Sequence, residues 1–363
     1  MQASSPARSF TLPADLKTEM ESPKGLDLVA LSAWLGQANP DLLNLSRPLS
    51  ASLITGGKSN LTYTVSDGTH EVIVRRPPLG HVLATAHDMS REYHVMDALA
   101  QSPVPVPAMY GLCEDPEVLG APFYVMEKAE GTAFQRASEL NELGPVRVRA
   151  ISERLVDTLV TLHAVDYNHV GLSDFGRPEG YLERQVSRWR KQLEKSRSRE
   201  LPGLDELANW LSNSVPSAAA GTIVHGDFRL DNALIDSNDQ VSAVLDWEMS
   251  TLGDPLTDVA LMLAYQQLAL DTPDGEDAAV TDAPKAAGYL SIDEVTERYA
   301  RLSGRDVSHL GFHLALAYFK LAVILEGIYL RFSQGQTLGS GFDKIGDGIF
   351  GLIEHGLNAR TSS

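Results

Sequence analysis

Two clusters of side chains in this sequence could do chemistry. The first is His225-Gly226-Asp227-Phe228-Arg229-Leu230-Asp231-Asn232, and the second is Val244-Leu245-Asp246-Trp247-Glu248. Phosphoryl transfer needs a carboxylate that orients the attacking hydroxyl and accepts its proton. It also needs oxygen ligands for Mg2+ on the nucleotide phosphates. A turn ending in Asp227, an asparagine five residues on at Asn232, and Asp246 after the next hairpin strand provide that set. The turn places Asp227 and Asn232 on one side, and the hairpin returns Asp246 beside them. Any Asp-rich β-turn shares part of this pattern. Order, spacing and flanking strands together set it apart.

Other residues are candidates with an ordinary reading beside the functional one. Gly56-Gly57-Lys58-Ser59-Asn60 lies between two strand-like runs. Glycine lets a ligand approach the backbone closely, and Ser59 and Asn60 could donate hydrogen bonds, yet Gly-Gly between strands is also a common turn. His163, at the end of a helical run, reads as a core or capping histidine. Along 182–195, Leu182, Val186, Trp189 and Leu193 make an apolar stripe, with Arg184, Arg188, Lys191 and Lys195 about 200° round the helix. That basic ridge is either a solvated face or a docking surface for an anionic acceptor, with Trp189 and Tyr181 covering an apolar portion.

The elements that must position these groups follow from periodicity. Leu26–Gly36 has helical spacing. Short β-type runs follow at Leu49–Thr55, Leu61–Ser66 and Glu71–Arg75, with Ser66-Asp67-Gly68-Thr69 as a hairpin turn. Ala86–Ala100 is helical, Pro103, Pro105 and Pro107 force an extended segment, and Met109–Cys113 and Phe123–Met126 are strands on either side of a turn-rich Glu114–Pro122. Beyond Gly131 the chain reads as helices, including Val146–His163 and Tyr181–Lys195, interrupted by a strand–turn–strand–turn–strand island at Thr222–Asp246.

These motifs resemble the aminoglycoside phosphotransferase/choline kinase branch of the protein-kinase-like fold, in which His-Gly-Asp replaces His-Arg-Asp. The resemblance implies an α+β, two-lobed fold: a mobile arm over 1–24, a β-rich nucleotide-binding N-lobe over 25–127, and a mainly helical C-lobe over 128–363. It makes Asp227 the catalytic base and Asn232 and Asp246 the metal ligands. It folds the loop with Gly57, Ser59 and Asn60 over the phosphates, and it places the phosphate-binding cation at Arg75, where most relatives carry Lys. Arg75 keeps the charge but changes reach and geometry. Its expected partner is Glu92, while strand alternation sends Arg76 to the opposite face. Backbone groups around Glu127 and Lys128 would meet adenine. Glu248 either stands near the metal or is solvated, and Asp254 and Asp258 either cap the following helix or brace the catalytic loop.

Gly57–Tyr63, Arg75–Leu79, Ala86–Tyr93, Glu114–Glu130, Gly171–Trp189 and His225–Ala260 narrow the likeness to the kinase-like domain of acyl-CoA dehydrogenase family members ten and eleven. In that subfamily Arg at the position of Arg75 is common. The likeness implies ATP and Mg2+ as cofactors and a hydroxylated fatty acid or its CoA ester as acceptor. With no dehydrogenase domain expected to follow here, any partnership would be with a separate chain. The anionic acceptor would meet Arg184, Arg188 and Trp189; the competing expectations are an aminoglycoside acceptor, with its anionic site supplied by the acidic C-lobe, and a nucleotide-binding pseudokinase.

Composition bounds the rest. The 363 residues carry 30 Lys+Arg against 48 Asp+Glu, a net charge of −18, which opposes nucleic acid and anionic membrane as partners. At 43% hydrophobic and 21% charged residues, wholesale disorder is excluded. Cys113 is the sole cysteine, which rules out an internal disulfide. The first 24 residues lack an apolar h-region, and Leu314–Leu330, carrying Lys320 and Glu326, reads as a buried helix. The cytoplasm is the expected location, a small hydroxylated molecule the expected partner, and the oligomeric state stays open.

Overall fold

The computed structural model describes residues 14–54, 60–79, 88–217, 220–273, 281–336 and 345–361. Contacts divide the chain into two compact units. The first runs up to Glu130 and regains the chain at Leu245–Glu248; the second holds Gly131–Val244 and the part from Met249 onward.

The first unit is a five-stranded antiparallel sheet with helices. Its elements are α1 (Ala14–Glu19), α2 (Leu28–Ala38), β1 (Ser50–Leu53), β2 (Leu61–Ser66), β3 (Glu71–Arg76), α3 (Met89–Leu99), β4 (Met109–Cys113), α4 (Pro116–Leu119) and β5 (Phe123–Glu127), in sheet order β1-β2-β3-β5-β4. Gly68, at φ +87°, closes the β2–β3 hairpin in a conformation that costs glycine little. Alternation then sorts the faces. Tyr63, Val65, Val72, Val74, Phe123 and Val125 pack with Leu28, Leu31 and Leu35 of α2 into one core. Arg75 pairs in register with Tyr124 of β5, and α3 packs on β4 and β5. Residues 14–24, expected as part of a mobile arm, include α1 and are tied down beyond it: Ser22 Oγ accepts from Leu28 N–H and the Lys24 carbonyl accepts from Tyr63. The turn-rich stretch 114–122 holds the single-turn α4, capped by Asp115.

The second unit is helical around a small β island. Its helices are α5 (Ala137–Leu143), α6 (Pro145–His163), α7 (Tyr181–Ser196), α8 (Leu204–Asn213), α9 (Leu256–Asp271), α10 (Ile292–Ser303), α11 (Leu310–Ser333) and α12 (Ile345–Ala359). Strand β6 (Thr222–Val224) pairs with β9 (Thr251–Gly253), and β7 (Ala233–Ile235) with β8 (Val241–Val244), both antiparallel. The α6 stripe Val148, Ile151, Leu155, Leu159 and Leu162 is buried, as its 3.6-residue spacing requires. Helix α11 is long and apolar enough to pass for a membrane span by length and composition alone, and 67% of its most apolar window is buried inside the protein. It packs against α7, α8, α9 and α12.

Candidate active site

In the first unit, β3 presents Arg75 and α3 presents Glu92. Arg75 Nε lies 3.1 Å from Glu92 Oε2, and Arg75 Nη2 donates to Asp246 Oδ1. One guanidinium therefore reaches both carboxylates, a geometry that its planar fork allows. Glu92 is almost wholly buried and has further donors: Asn60 Nδ2 at 3.0 Å and the Tyr124 hydroxyl at 2.8 Å. Asn60 Nδ2 also donates to Glu248 Oε2 at 3.3 Å. Burial pushes Glu92 up to about 7, against the pull of Arg75 and Tyr124. Burial works against the Arg75 charge, but the Tyr124, Glu92 and Asp246 side chains outweigh it and hold the guanidinium above its ordinary value. Arg76 faces the other way, buried, with Nη1 donating to the carbonyls of Gly25 and Leu119. Asp246 sits at φ +66°, in the left-handed region that short polar side chains tolerate.

The seam follows the end of β5. The strand runs one residue past Met126, so the Glu127 N–H is spent on the Ala108 carbonyl and the Glu127 carboxylate accepts from Ala108 N–H. That backbone donor is not open to an adenine edge. Lys128 pairs with Glu71 on the surface. Gly57 and Ser59 lie outside the described residues.

In the second unit, β6 delivers the loop 225–232. Gly226 turns at φ +84°, where a Cβ would stand 2.6 Å from the Met249 carbonyl oxygen, so no side chain fits. Asp258, at the start of α9 and fully buried, accepts from the N–H groups of His225 (2.6 Å) and Gly226 (2.7 Å). Its other partner is His163 Nε2 at 3.3 Å, while His163 Nδ1 lies 2.8 Å from the Tyr299 hydroxyl. Burial alone would raise the Asp258 pKa; its hydrogen bonds with His163 and the Gly226 N–H outweigh burial and hold it below the carboxylate range. Asp258 thus braces the loop, and Asp254 does the capping, accepting from Leu256 N–H at 3.0 Å with His313 Nε2 at 3.2 Å. His225 is buried beneath the loop, its Nδ1 accepting from Asp227 N–H.

Asp227 is held but reachable, with its side chain 22% exposed. Asn232 Nδ2 donates to its carbonyl (2.9 Å) and to its Oδ2 (3.1 Å). Arg229 Nε stands 3.6 Å from the same Oδ2, with Nη2 on Asp231 and the guanidinium over the Tyr265 ring at 4.6 Å. Burial and the charge of Asp227, to which it is hydrogen-bonded, push the Tyr265 hydroxyl up. Neither Arg229 nor Tyr265 was singled out from the sequence, although Arg229 lies inside the motif. Lys320 of α11 was also missed; its Nζ donates to the Gly226 carbonyl at 3.3 Å.

The basic ridge on α7 is smaller than its sequence suggests. Arg184 folds back onto the carbonyls of Arg177 and Glu179 in the loop that precedes the helix. Trp189 is 9% exposed and belongs to the core, so it cannot cover a ligand's apolar portion. Arg188, Lys191 and Lys195 are exposed.

The second unit carries an aspartate–asparagine pair on one loop, and the first carries a sheet cation paired with a helix glutamate; each is a part that phosphoryl transfer uses. The model of the phosphotransferase enzyme family matches residues 50–302. The chain belongs to that family. Among its relatives in this family, acyl-CoA dehydrogenase family member 11 of Gallus gallus is 36% identical over 315 residues, covering 85% of this chain and 40% of the relative. Family member 10 of Mus musculus is 36% identical over 292 residues, covering 80% and 27%. The chain thus spans well under half the length of these relatives. A crystal structure from Ralstonia eutropha, provisionally described as an aminoglycoside phosphotransferase, is 33% identical with a TM-score of 0.78, covering 91% of this chain and 97% of that one. Choline kinase from Cryptosporidium parvum shares the fold at 12% identity and a TM-score of 0.63, with 91% and 94% covered. The fold of this phosphotransferase is protein-kinase-like.

Each unit carries an oxygen donor of the kind a nucleotide-borne cation takes. Among the described residues no three His, Cys, Asp or Glu side chains converge as a metal cage. Mg2+ needs no such cage, since it takes one or two protein oxygens together with phosphates. In the second unit Asn232, with its Nδ2 committed to Asp227, has its amide oxygen to offer; in the first, Asp246 has a carboxylate that is 32% exposed.

Proposed function

We propose that this phosphotransferase uses ATP and Mg2+ to phosphorylate a hydroxyl of a small hydroxy acid or hydroxyacyl-CoA. The observation that carries the reading is Asp227: a partly exposed carboxylate fixed through Asn232 in a loop that Asp258 anchors. Asp227 orients the acceptor O–H and takes its proton as the oxygen attacks the γ-phosphorus and the bond to the departing ADP breaks. Arg75 supplies a fixed positive charge for the phosphates, and Glu92 sets its direction. Bound Mg2+ would neutralise phosphate charge, with Asn232 and Asp246 as its protein oxygens. The acyl acceptor is supported by the likeness to acyl-CoA dehydrogenase family members 10 and 11. The Ralstonia neighbour's description supports an aminoglycoside instead.

The test is ADP release from MgATP with 12-hydroxydodecanoate, its CoA thioester, kanamycin and choline as acceptors. Turnover is expected on the acid or thioester, and Asp227→Asn should lower it about 10²–10⁴-fold while calorimetry still shows MgATP binding. Turnover confined to kanamycin would move the acceptor to the aminoglycoside class. MgATP binding without turnover anywhere in the panel would make the chain a nucleotide-binding module.

A further inference from the structure

Lys320 has an unusual position for a lysine. It projects from α11, whose neighbouring residues Leu316, Ala317, Phe319, Leu321 and Val323 are buried, and it is itself only partly exposed. Its single hydrogen bond among the described residues is the 3.3 Å contact to the Gly226 carbonyl, one residue before Asp227. An ammonium has three protons to place. Among the described residues no carboxylate lies within 4 Å of Nζ, whereas Arg75 pairs with Glu92 and Asp246, Arg199 with Glu326 and Arg298 with Asp157, and buried Arg76 spends its guanidinium on three backbone carbonyls.

A second unpaired cation stands at the same place. Nζ of Lys320 is 5.7 Å from the centre of the Trp189 ring, and the Arg188 guanidinium is 5.8 Å from it. Of the other α7 cations, Arg184 is spent on the carbonyls of Arg177 and Glu179 and Arg190 on Ala208 and Ser212, while Lys191 and Lys195 are exposed and, among the described residues, no cation–π contact to Trp189 involves them. Arg188 makes no ion pair among the described residues. Burial holds the Lys320 pKa below its ordinary value, with Asp227 and Asp258 pulling it back up and Arg188 pushing it further down. Two cations gathered on one indole repel each other, and in a chain of net charge −18 carboxylates to pair them are plentiful. Cation–π attraction to Trp189 offsets part of that repulsion. What completes the arrangement is an anion.

We infer that Lys320 and Arg188 form the anion-recognition half of the acceptor site, taking a carboxylate or phosphate of the acceptor so that its hydroxyl is presented to Asp227. Trp189 holds the two cations and does not itself meet the ligand. The inference rests on the phosphotransferase reading for the word acceptor, but the anion site is testable without turnover. It also explains a discrimination: a polycationic aminoglycoside would be repelled here.

The experiment is calorimetric binding of 4-hydroxybutanoate and 12-hydroxydodecanoate, against the diols of the same chain lengths, to wild type, Lys320→Met, Lys320→Arg and Arg188→Met. Wild type should bind at least one acid more tightly than its diol. Lys320→Met and Arg188→Met should each weaken acid binding about tenfold to 100-fold, as loss of a charged hydrogen bond does, with less effect on the diol. Lys320→Arg should retain the preference, and added salt should shrink it. Arg188 is exposed, so its variant reports even if Lys320→Met disturbs the loop. No acid preference in wild type, or acid affinity unchanged in Arg188→Met, overturns the site. Acid binding that depends on both residues, with no ADP release from wild type, supports the anion site and overturns the phosphotransferase reading instead.

Discussion

Replacing Asp258 with Asn tests whether the catalytic loop is held by a buried charge. The carboxylate accepts two backbone N–H groups, from His225 at 2.6 Å and Gly226 at 2.7 Å, with no exposure to water. Asn keeps one acceptor oxygen for one of them. Its Nδ2 is a donor and must face the other N–H, which is left buried without a partner. A hydrogen bond to a charged group contributes about 1.5–3 kcal/mol, and an orphaned buried donor costs about 1–3 kcal/mol. Together these put the destabilisation at about 3–5 kcal/mol. Asp254→Asn is the internal control: that side chain accepts one backbone N–H, from Leu256, and an amide oxygen can keep it. Urea unfolding followed by tryptophan fluorescence reads both variants. Asp258→Asn should lower the midpoint well beyond Asp254→Asn with the slope unchanged. A shift in Asp258→Asn of less than about 1 kcal/mol would show that the loop stands without this charge, against the expected cost.

Two further outcomes follow from the same networks. Arg75→Lys keeps the charge but loses the fork that reaches Glu92 and Asp246 together, so MgATP affinity measured by calorimetry should fall about tenfold; equal affinity would mean that charge alone suffices. His163 is held below its ordinary pKa by burial, against the pull of Asp258, so the unfolded state takes up its proton first and stability should decline as pH drops below about 6.5. Urea midpoints between pH 7.5 and 5 should show this slope in wild type and a shallower one in His163→Gln, and parallel slopes would exclude His163 as its source.

Where the sequence is locally sufficient, its reading and the structure agree closely. β2 over Leu61–Ser66 and β4 over Met109–Cys113 coincide with their expected ranges, because their ends are marked locally: β2 runs into the Ser66-Asp67-Gly68-Thr69 turn, and β4 lies between the prolines of 103–107 and the turn-rich 114–122. The loop 225–232 is similar, since the Asn232–Asp227 bonds span five residues. The misses share a different cause. β9, three residues long, exists because Thr222–Val224 lies opposite it, and nothing in Thr-Leu-Gly announces a strand. The pairing of Glu127 with Ala108, nineteen residues away, is likewise invisible locally. Arg184 was counted as a surface cation until its own preceding loop supplied carbonyls. Lys320 served in the sequence only to argue against a membrane span, because its partner Gly226 lies ninety-four residues away.

Those long-range partners determine how Asp227 can be both fixed and accessible. A base that meets a substrate hydroxyl cannot be buried, yet an exposed side chain on a glycine turn would sample many positions, and misplacement of a catalytic group by about 1 Å can cost 100-fold. The second unit separates the two demands. Buried charges hold the backbone: Asp258 takes the N–H groups of residues 225 and 226, and Lys320 takes the carbonyl of residue 226. These anchors come from α9 and α11, helices packed on each other and therefore stiff relative to the loop. With the peptide planes set, Asn232 needs only two short bonds to direct the carboxylate, and Asp227 can remain 22% exposed. The electrostatic sign of each anchor follows from the backbone group it meets, carboxylate to N–H and ammonium to C=O. Lys320 alone has donors left over after its bond is made, and on α11 it stands where an acceptor's charge would be read against the position of its hydroxyl.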